Sequence, residues 1–321
     1  MTLHEAKGGR EFPKHFDGAR FYNPNFAEAP GLLGVLRWKM TSRAEKSPRF
    51  ISDVKTSIPP QQVAEGELRA TVVNHSTVLI QERTSHILTD PIWSKRSSPF
   101  SWIGPARRRS PGVEQADIPR VDVVLISHNH VDHLDLPTLR WLATRGDTRF
   151  VVPVGVSALL RSQRIGPVDE LDWGQSVQMD SATIHSVPAF HFSARGPFDR
   201  NKTLWCGYVI EYKDHRIYFA GDTGFGEHFA WIRERFGSPS LSLLPIGAYL
   251  PKRIMSPIHM GPAEAIKAHE ILCSEASIAI HHGTFQLADD GIDTPKRELM
   301  AASKPESFLI LENGQSFGVQ R

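Results

Sequence analysis

Short apolar runs alternate with helix-like patterns along this chain. Short, largely apolar runs between turn-forming residues predict strands, whereas apolar residues spaced three and four apart predict helices. Twelve runs predict strands, at residues 68–74, 77–81, 86–89, 121–127, 150–154, 177–179, 183–187, 204–211, 216–220, 241–245, 278–281 and 308–311. Five patterns predict helices, at residues 134–144, 156–162, 227–236, 262–272 and 294–303.

The order of these elements predicts the fold class. We expect an α/β protein in which two sheets pack face to face and helices cover their outer sides, a four-layer αββα sandwich. With 321 residues, 40% of them hydrophobic and 22% charged, the chain resembles an ordinary globular enzyme. Residues 1–22 are polar and are expected to be a flexible N-terminal segment, and residues 23–321 are expected to form a single domain.

A dense group of potential metal ligands follows the strand predicted at residues 121–127. His128, His130, Asp132 and His133 lie within six positions. Alternation puts His128 and His130 on one side, and the turn that follows swings Asp132 and His133 round. Imidazole nitrogen and carboxylate oxygen suit a borderline ion such as Zn²⁺. The spacing indicates two metals and hydrolysis, because a redox di-iron site would favour glutamate in place of His130.

Three further strand ends carry ligand-type residues. His191, Asp222 and the pair His281 and His282 each come at or just after the end of a predicted strand. Neighbours on a strand point to opposite faces, so only one of His281 and His282 can face a common cleft. Because sites gather on loops held by a rigid scaffold, four such strand ends predict a metal-lined cleft at one sheet edge.

Several motifs in this chain resemble those of the metallo-β-lactamase superfamily. Within it, the chain is most similar to the N-acyl-phosphatidylethanolamine-hydrolysing phospholipase D family, from about residue 23 to about residue 314. The histidine cluster indicates only the superfamily, whereas the Leu-Thr-Asp-Pro-Ile and Pro-Ile-Gly-Ala-Tyr segments indicate the narrower family. The motifs lie at residues 36–38, 88–92, 104–105, 125–130, 219–224, 245–249 and 281–285.

The resemblance implies a metallo-β-lactamase-type sandwich and a ligand set for two Zn²⁺ ions per chain. It implies that His128, His130 and His191 hold one zinc, that Asp132, His133 and His281 hold the other, and that Asp222 bridges them. The ligand at the last strand matches His281, and its usual aromatic neighbour is replaced by His282.

A second departure affects the predicted substrate contacts. Ile258 stands where the family has a glutamine, although the histidine that follows is kept as His259. His259 could touch a phosphate oxygen or protonate a leaving group, or it could cap the helix predicted to start near residue 262.

Ligating histidines generally donate their other ring N–H to a carboxylate or a carbonyl. Asp90, which ends a predicted strand, is the best candidate for such a partner, and His75 is a weaker one. Either could instead be an ordinary turn residue.

These observations favour a zinc phosphodiesterase that hydrolyses a phospholipid by attack of metal-activated water on phosphorus. Asp132 and Asp222 would anchor the ions and accept the proton of that water, with His259 as a third catalytic candidate. The resemblance implies phosphatidic acid and an N-acylethanolamine as products. One alternative is a soluble sugar-phosphate lactonase or nuclease with the same metals. The other is a non-catalytic metal-binding protein, which is disfavoured because a structural metal site would be closed and usually cysteine-rich.

Composition bears on partners and location. A net charge of +2 argues against a globally basic nucleic-acid binder, although residues 107–109 are three arginines that could form a solvated loop or an anion site. Two cysteines and no signal-peptide pattern favour a cytoplasmic protein. Residues 30–43 mix apolar and basic side chains and could contact a membrane interface or pack on the core. A homodimer is also left open.

Overall fold

The structure is a computed structural model that describes residues 4–5, 14–24 and 31–320. In this part of the chain the strands are β1 His4–Glu5, β2 Glu67–Asn74, β3 Thr77–Glu82, β4 Ser85–Thr89, β5 Val123–Leu125, β6 Arg149–Pro153, β7 Val168–Leu171, β8 Gln175–Gln178, β9 Thr183–Val187, β10 Gly207–Glu211, β11 Arg216–Phe219, β12 Leu241–Pro245, β13 Ala276–Ile280, β14 Phe308–Leu309 and β15 Ser316–Gln320. The α-helices are α1 Leu32–Thr41, α2 Leu136–Ala143, α3 Ser157–Ser162, α4 His228–Phe236, α5 Lys252–Met255, α6 Pro262–Leu272 and α7 Thr294–Ala301.

The described strands form two sheets. One has the order β1-β8-β9-β10-β11-β12-β13-β14, and the other has the order β15-β2-β3-β4-β5-β6-β7. One large apolar cluster contains side chains from both sheets, such as Val123 and Leu125 from β5 and Tyr208 and Ile210 from β10. The inner faces of the two sheets therefore pack against each other.

Two further clusters cover the outer faces. Val124 of β5 packs with Leu139 of α2 and Leu160 of α3, and Leu244 of β12 packs with Ile232 of α4 and Ala265 of α6. Strands buried on both faces have continuous apolar runs, which is why the sequence shows little alternation there. The predicted αββα sandwich is confirmed.

Most predicted elements agree with the structure to within a few residues, but five described strands and α-helices were missed, namely β1, β7, β15, α1 and α5. The strand β7 is interrupted by acidic residues, and β15 lies at a sheet edge with a partly exposed pattern, so neither has a clear apolar run. Helices α1 and α5 were also missed. Edge strands and short surface elements carry weak periodicity because they bury little surface.

The first residues of the chain were predicted to be a flexible segment. Residues 1–3 and 6–13 lie outside the described part, but residues 14–22 are described, and Phe21 is buried in the core between the sheets. The ring of His15 stacks on Trp173 with a centroid distance of 4.2 Å, and its Nε2 lies 2.7 Å from Asp172 Oδ1. The described end of this segment therefore packs against the domain, and the domain boundary itself stays a prediction.

Residues 30–43 were predicted to contact either a membrane or the core. The side chains of Leu32, Leu33 and Leu36 lie outside the described part of the structure. Trp38 is partly buried and packs against the apolar cluster that contains Ile258. Its indole Nε1–H donates to Asp289 Oδ1 at 3.0 Å. Trp38 therefore belongs to the packed domain. No helix in the described ranges has both the length and the apolarity needed to cross a bilayer.

Candidate metal centre

The predicted ligands come together because their strands end at the same edge of the sandwich. Strands β11, β12 and β13 are mutually parallel, as are β4, β5 and β6. Strand β9 is antiparallel to β10, which is antiparallel to β11, so β9 and β11 run in the same direction. The loops after β5, β9, β11 and β13 carry the seven predicted ligands into one buried cluster.

One group consists of His128, His130 and His191, whose ligand atoms lie within 4.8 Å of one another. His130 Nδ1 lies 2.7 Å from His128 Nε2 and 3.1 Å from His191 Nε2. His191 Nδ1 lies 2.8 Å from the carbonyl oxygen of Ile258 and so donates its proton there. Because Nδ1 of His191 is thus occupied, its Nε2 presents a lone pair to the centre of the group.

The second group contains Asp132, His133 and His281, together with His75. His133 Nε2 lies 3.3 Å from Asp132 Oδ2, and His281 Nε2 lies 3.5 Å from the same oxygen. His75 Nε2 lies 3.1 Å from Asp132 Oδ2, which makes His75 the partner that orients this carboxylate. The weaker of the two predicted partners thus contacts a predicted ligand directly.

Asp222 lies between the two groups. Its Oδ2 is 3.1 Å from His133 Nε2 and 3.2 Å from His281 Nε2 on one side. On the other side it is 3.7 Å from His191 Nε2 and 3.9 Å from His128 Nε2. One carboxylate oxygen thus faces ligands of both groups, which is the position that a bridging ligand needs.

Asp90 holds two of the predicted ligands in place, as expected. Asp90 Oδ2 accepts from His133 Nδ1 at 2.6 Å and from the Ser127 hydroxyl at 2.6 Å, while Oδ1 accepts from the Ser127 main-chain N–H at 2.7 Å. The Ser127 oxygen lies 2.9 Å from His128 Nδ1. Because Ser127 donates its proton to Asp90, it accepts from His128. This leaves Nε2 of both histidines free for a metal.

Burial sets the charge of the first group. It holds the pKa of His128 and of His191 well below the ordinary value and lowers the pKa of His130 to about 4. These three imidazoles are therefore neutral at pH 7. Neutral imidazole is the form that binds metal.

The second group has the opposite tendency. Burial by itself lowers the pKa of His133 and His281, but the Asp222 and Asp132 carboxylates outweigh it, raising the pKa of His133 well above its ordinary value and that of His281 to about 9. Burial by itself raises the pKa of both carboxyl groups, but His133 and the neighbouring imidazoles hold it well below its usual range. The carboxylates therefore attract positive charge into a buried site, and a divalent cation can supply it.

The cluster contains buried polar atoms that a metal could satisfy. In the described part of the chain, His133 Nε2, His281 Nε2 and Asp222 Oδ1 are buried without a hydrogen-bond partner. Such unpartnered buried atoms are costly unless something else satisfies them. All three belong to the same cluster of nitrogen and oxygen donors, so the residues fit a metal-binding centre.

The backbone around the cluster requires unusual conformations. His281 lies just beyond β13, with φ of 57°, so the prediction that it belongs to the strand is wrong. His282 lies outside the metal-ligand groups of the described residues. Gly221, with φ of 60°, lets the Asp222 loop approach Ser127, since a Cβ there would lie 2.6 Å from Ser127 Cβ. Sparsely populated conformations of this kind often occur at functional sites.

His259 does not cap the helix that follows it. The N-cap of α6 is Gly261, whose main-chain N–H donates to Glu264 Oε2 at 2.9 Å. His259 Nδ1 instead lies 4.0 Å from Asp222 Oδ2, and its ring packs against His191. Burial lowers its pKa to about 4. The capping alternative is therefore wrong, and His259 faces the metal cluster as a neutral imidazole.

Arg195 is a further residue of this site that the sequence did not predict. Its Nη1 donates to the carbonyl oxygens of Asn129 at 2.8 Å and Leu134 at 2.9 Å. Asn129 lies between His128 and His130, and Leu134 directly follows His133. Its own main-chain N–H donates to the Asp199 carboxylate. Arg195 thus ties the loop that carries His191 to the β5 loop. Its position four residues after His191 was the only signal, and a lone arginine in a loop does not indicate this role.

The arginine cluster was predicted to be either a solvated loop or an anion site. Arg107 is largely buried, with Nη2 donating to the carbonyl oxygen of Ile92 at 3.0 Å. Arg109 is 7% exposed and bonds Asp53 Oδ1 at 2.9 Å and Asp293 Oδ1 at 2.8 Å. The solvated-loop interpretation is wrong for these two arginines, because both connect segments of the domain.

Comparison with known proteins agrees with this geometry. A family model described as a beta-lactamase superfamily domain matches residues 85–282, a range that contains all seven predicted ligands. The chain belongs to the metallo-β-lactamase superfamily. It is a metal-dependent hydrolase by family and fold.

Relatives of this superfamily member extend over most of its length. An uncharacterised protein of Mycobacterium tuberculosis is 39% identical over 93% of this chain and 82% of its own length. N-acyl-phosphatidylethanolamine-hydrolyzing phospholipase D 1 of Caenorhabditis elegans is 33% identical over 95% of this chain and 94% of its own length. The metallo hydrolase Igni18 of Ignicoccus hospitalis shares the fold, with a TM-score of 0.58 and 22% identity over 79% of this chain and 99% of that protein.

Proposed function

We propose that this hydrolase is a dinuclear zinc phosphodiesterase that acts on a phospholipid such as N-acyl-phosphatidylethanolamine. The observation that carries the proposal is the donor set, in which two groups of buried ligands lie on either side of Asp222. The relative in Caenorhabditis elegans, which bears the name of this activity, supports the substrate class. The products would be phosphatidic acid and an N-acylethanolamine.

The chain's own residues have separable roles in this reaction. Two zinc ions would supply Lewis acidity, which brings ionisation of water into the neutral range and offsets charge on phosphoryl oxygens. Asp222 would hold both ions. The other ligands are His128, His130 and His191 for one ion, and Asp132, His133 and His281 for the other.

Proton transfer falls to the carboxylates of this cluster. Asp222 Oδ1 is buried and has no hydrogen-bond partner, so it can accept the proton of an attacking water. Asp132 is restrained by His75 and is the second acceptor. His259 lies beside Asp222 and can hydrogen-bond a phosphoryl oxygen of the substrate. Asp90 positions Ser127 and His133 and does not move protons.

A turnover screen of zinc-loaded protein tests the proposal. The panel contains vesicles of N-acyl-phosphatidylethanolamine, vesicles of phosphatidylcholine, a soluble aryl phosphodiester and a sugar-phosphate lactone. We expect release of N-acylethanolamine and phosphatidic acid, lost in Asp222→Ala, with slower cleavage of the soluble diester. Hydrolysis of the lactone alone, or of soluble diesters without any lipid, would contradict the proposal in favour of a soluble hydrolase of the same fold.

A further inference from the structure

A loop closed by main-chain hydrogen bonds lies beside the metal cluster. Residues 95–107, here called the 95–107 finger, are closed at the base by a hydrogen bond from Arg107 N–H to the Lys95 carbonyl at 2.9 Å. A second bond joins Ser97 N–H to the Pro105 carbonyl at 3.0 Å. These main-chain bonds give the finger a defined conformation, although residues 99–105 at its tip are all exposed.

The tip of the finger carries large apolar side chains. Trp102 is 74% exposed, Phe100 is 55% exposed and Ile103 is 51% exposed. The rings of Phe100 and Trp102 lie 5.9 Å apart, so they form one patch. Three large apolar residues within four positions of an exposed tip differ from the scattered apolar residues of an ordinary surface, and contiguous patches of this kind mark interaction sites.

The surroundings of the tip are basic. A cavity of about 490 Å³ lies between Phe100 and Val131, the residue between two predicted metal ligands. Among the described residues that line this cavity, Asp135 is the one carboxylate. It accepts hydrogen bonds from Ser94 and Thr138. The cations that line the cavity are Lys95, Arg96, Arg140 and Arg195.

We propose that the 95–107 finger docks the enzyme on the surface of an anionic phospholipid bilayer. Tryptophan and other aromatic side chains favour the boundary between headgroups and acyl chains, and nearby cations are attracted to anionic headgroups. The finger would place Phe100, Trp102 and Ile103 at that boundary and bring the lining cations to headgroup phosphates. The inference rests on the proposed function, since a lipid substrate must reach the metal cluster from a bilayer.

The finger meets this requirement better than the described part of residues 30–43. Trp38 in that segment is held by Asp289 and packed against the domain, whereas Trp102 is exposed beside the loop of the metal ligands. The finger therefore combines an apolar tip, flanking cations and closeness to the reactive centre.

Vesicle co-sedimentation of the full chain as purified, with its metal, tests the proposal by binding and does not require turnover. The vesicles are phosphatidylcholine with and without phosphatidylglycerol. Replacing Phe100 and Trp102 together with serine should weaken binding to the mixed vesicles by about tenfold or more, because two large side chains lose their apolar contact. Met300→Ser, at a residue of α7 that is 64% exposed, serves as the matched control and should bind like the parent protein.

A second arm tests the charges. Lys95→Ala combined with Arg140→Ala should reduce the preference for phosphatidylglycerol, and added salt should weaken binding of the parent protein more than that of this variant. Parent-like binding by the serine variant, or no vesicle binding by the parent protein, would overturn the proposal. A change from dimer to monomer in the serine variant would also overturn the proposal, because the finger would then form an interface between two copies of the chain. Vesicle binding by the parent protein, together with no turnover of N-acyl-phosphatidylethanolamine by the zinc-loaded protein, would instead contradict the proposed function alone.

Discussion

Asp90→Asn is the most informative single substitution, because it keeps the size and shape of the side chain and changes its charge and its hydrogen bonding. The Ser127 main-chain N–H points at Asp90 Oδ1 and cannot become an acceptor. The asparagine must therefore keep its oxygen there and turn its NH₂ group toward His133 Nδ1. Two donors then face each other unless His133 changes tautomer.

The change of tautomer moves the ring proton of His133 to Nε2, the atom that faces Asp132 and Asp222. A protonated Nε2 cannot bind a metal. Loss of an outer partner of this kind costs about 10–100-fold in metal affinity, or roughly 1.4–2.7 kcal/mol. If His133 keeps its tautomer instead, an unmatched buried donor destabilises the fold by about 1–3 kcal/mol.

Competition with a chromophoric zinc chelator gives the two metal affinities, and urea unfolding of the metal-free protein gives the stability. We expect one zinc site to weaken and activity to fall with it, restored by excess zinc. Asp122→Asn is the matched control, because the Asp122 carboxylate accepts from the His86 main-chain N–H at 2.9 Å, away from the cluster. Unchanged zinc affinity, activity and stability in Asp90→Asn would refute the orienting role.

Three other predictions concern the metal content, the two histidines after β13 and the ion pair between Glu211 and His185. Metal analysis of the parent protein should find about two zinc-class ions per chain, and Asp222→Ala should lose metal and activity together. An Asp222→Ala protein that is active and keeps its full metal content would rule out Asp222 as a ligand shared by both ions. His281→Ala should reduce activity by orders of magnitude and His282→Ala much less, and kinetics giving the reverse order would contradict the assignment. Glu211 has its pKa lowered to about 2, chiefly by its hydrogen bond to His185. This interaction stabilises the fold fully above the ordinary glutamate pKa of 4.5, and the stabilisation is lost as the pH falls toward about 2. Over this range the free energy of unfolding of the metal-free parent protein should fall by about 1–2 kcal/mol more than that of Glu211→Gln. If urea unfolding gives the same pH dependence for the parent protein and for Glu211→Gln, the pair of Glu211 and His185 contributes nothing to stability.

The sequence by itself determined the sandwich and the residues available to bind metal. Strands covered on both faces must be apolar throughout, as Val123, Val124 and Leu125 are, so their positions are visible locally. The ligands of the β5 loop are also local, because four donors fall within six positions. Elements such as β15, which bury only part of their surface, leave a pattern too weak to read.

Only the tertiary structure decided how the distant residues meet. The grouping of His191 with His128 and the central position of Asp222 depend on strand order and direction. The bonds from Arg195 to the β5 loop and from Trp38 to Asp289 depend on loop paths that no local pattern encodes. The reason is physical: contacts between residues far apart in sequence follow from packing of the whole chain, whereas apolar periodicity reports only whether each segment is buried.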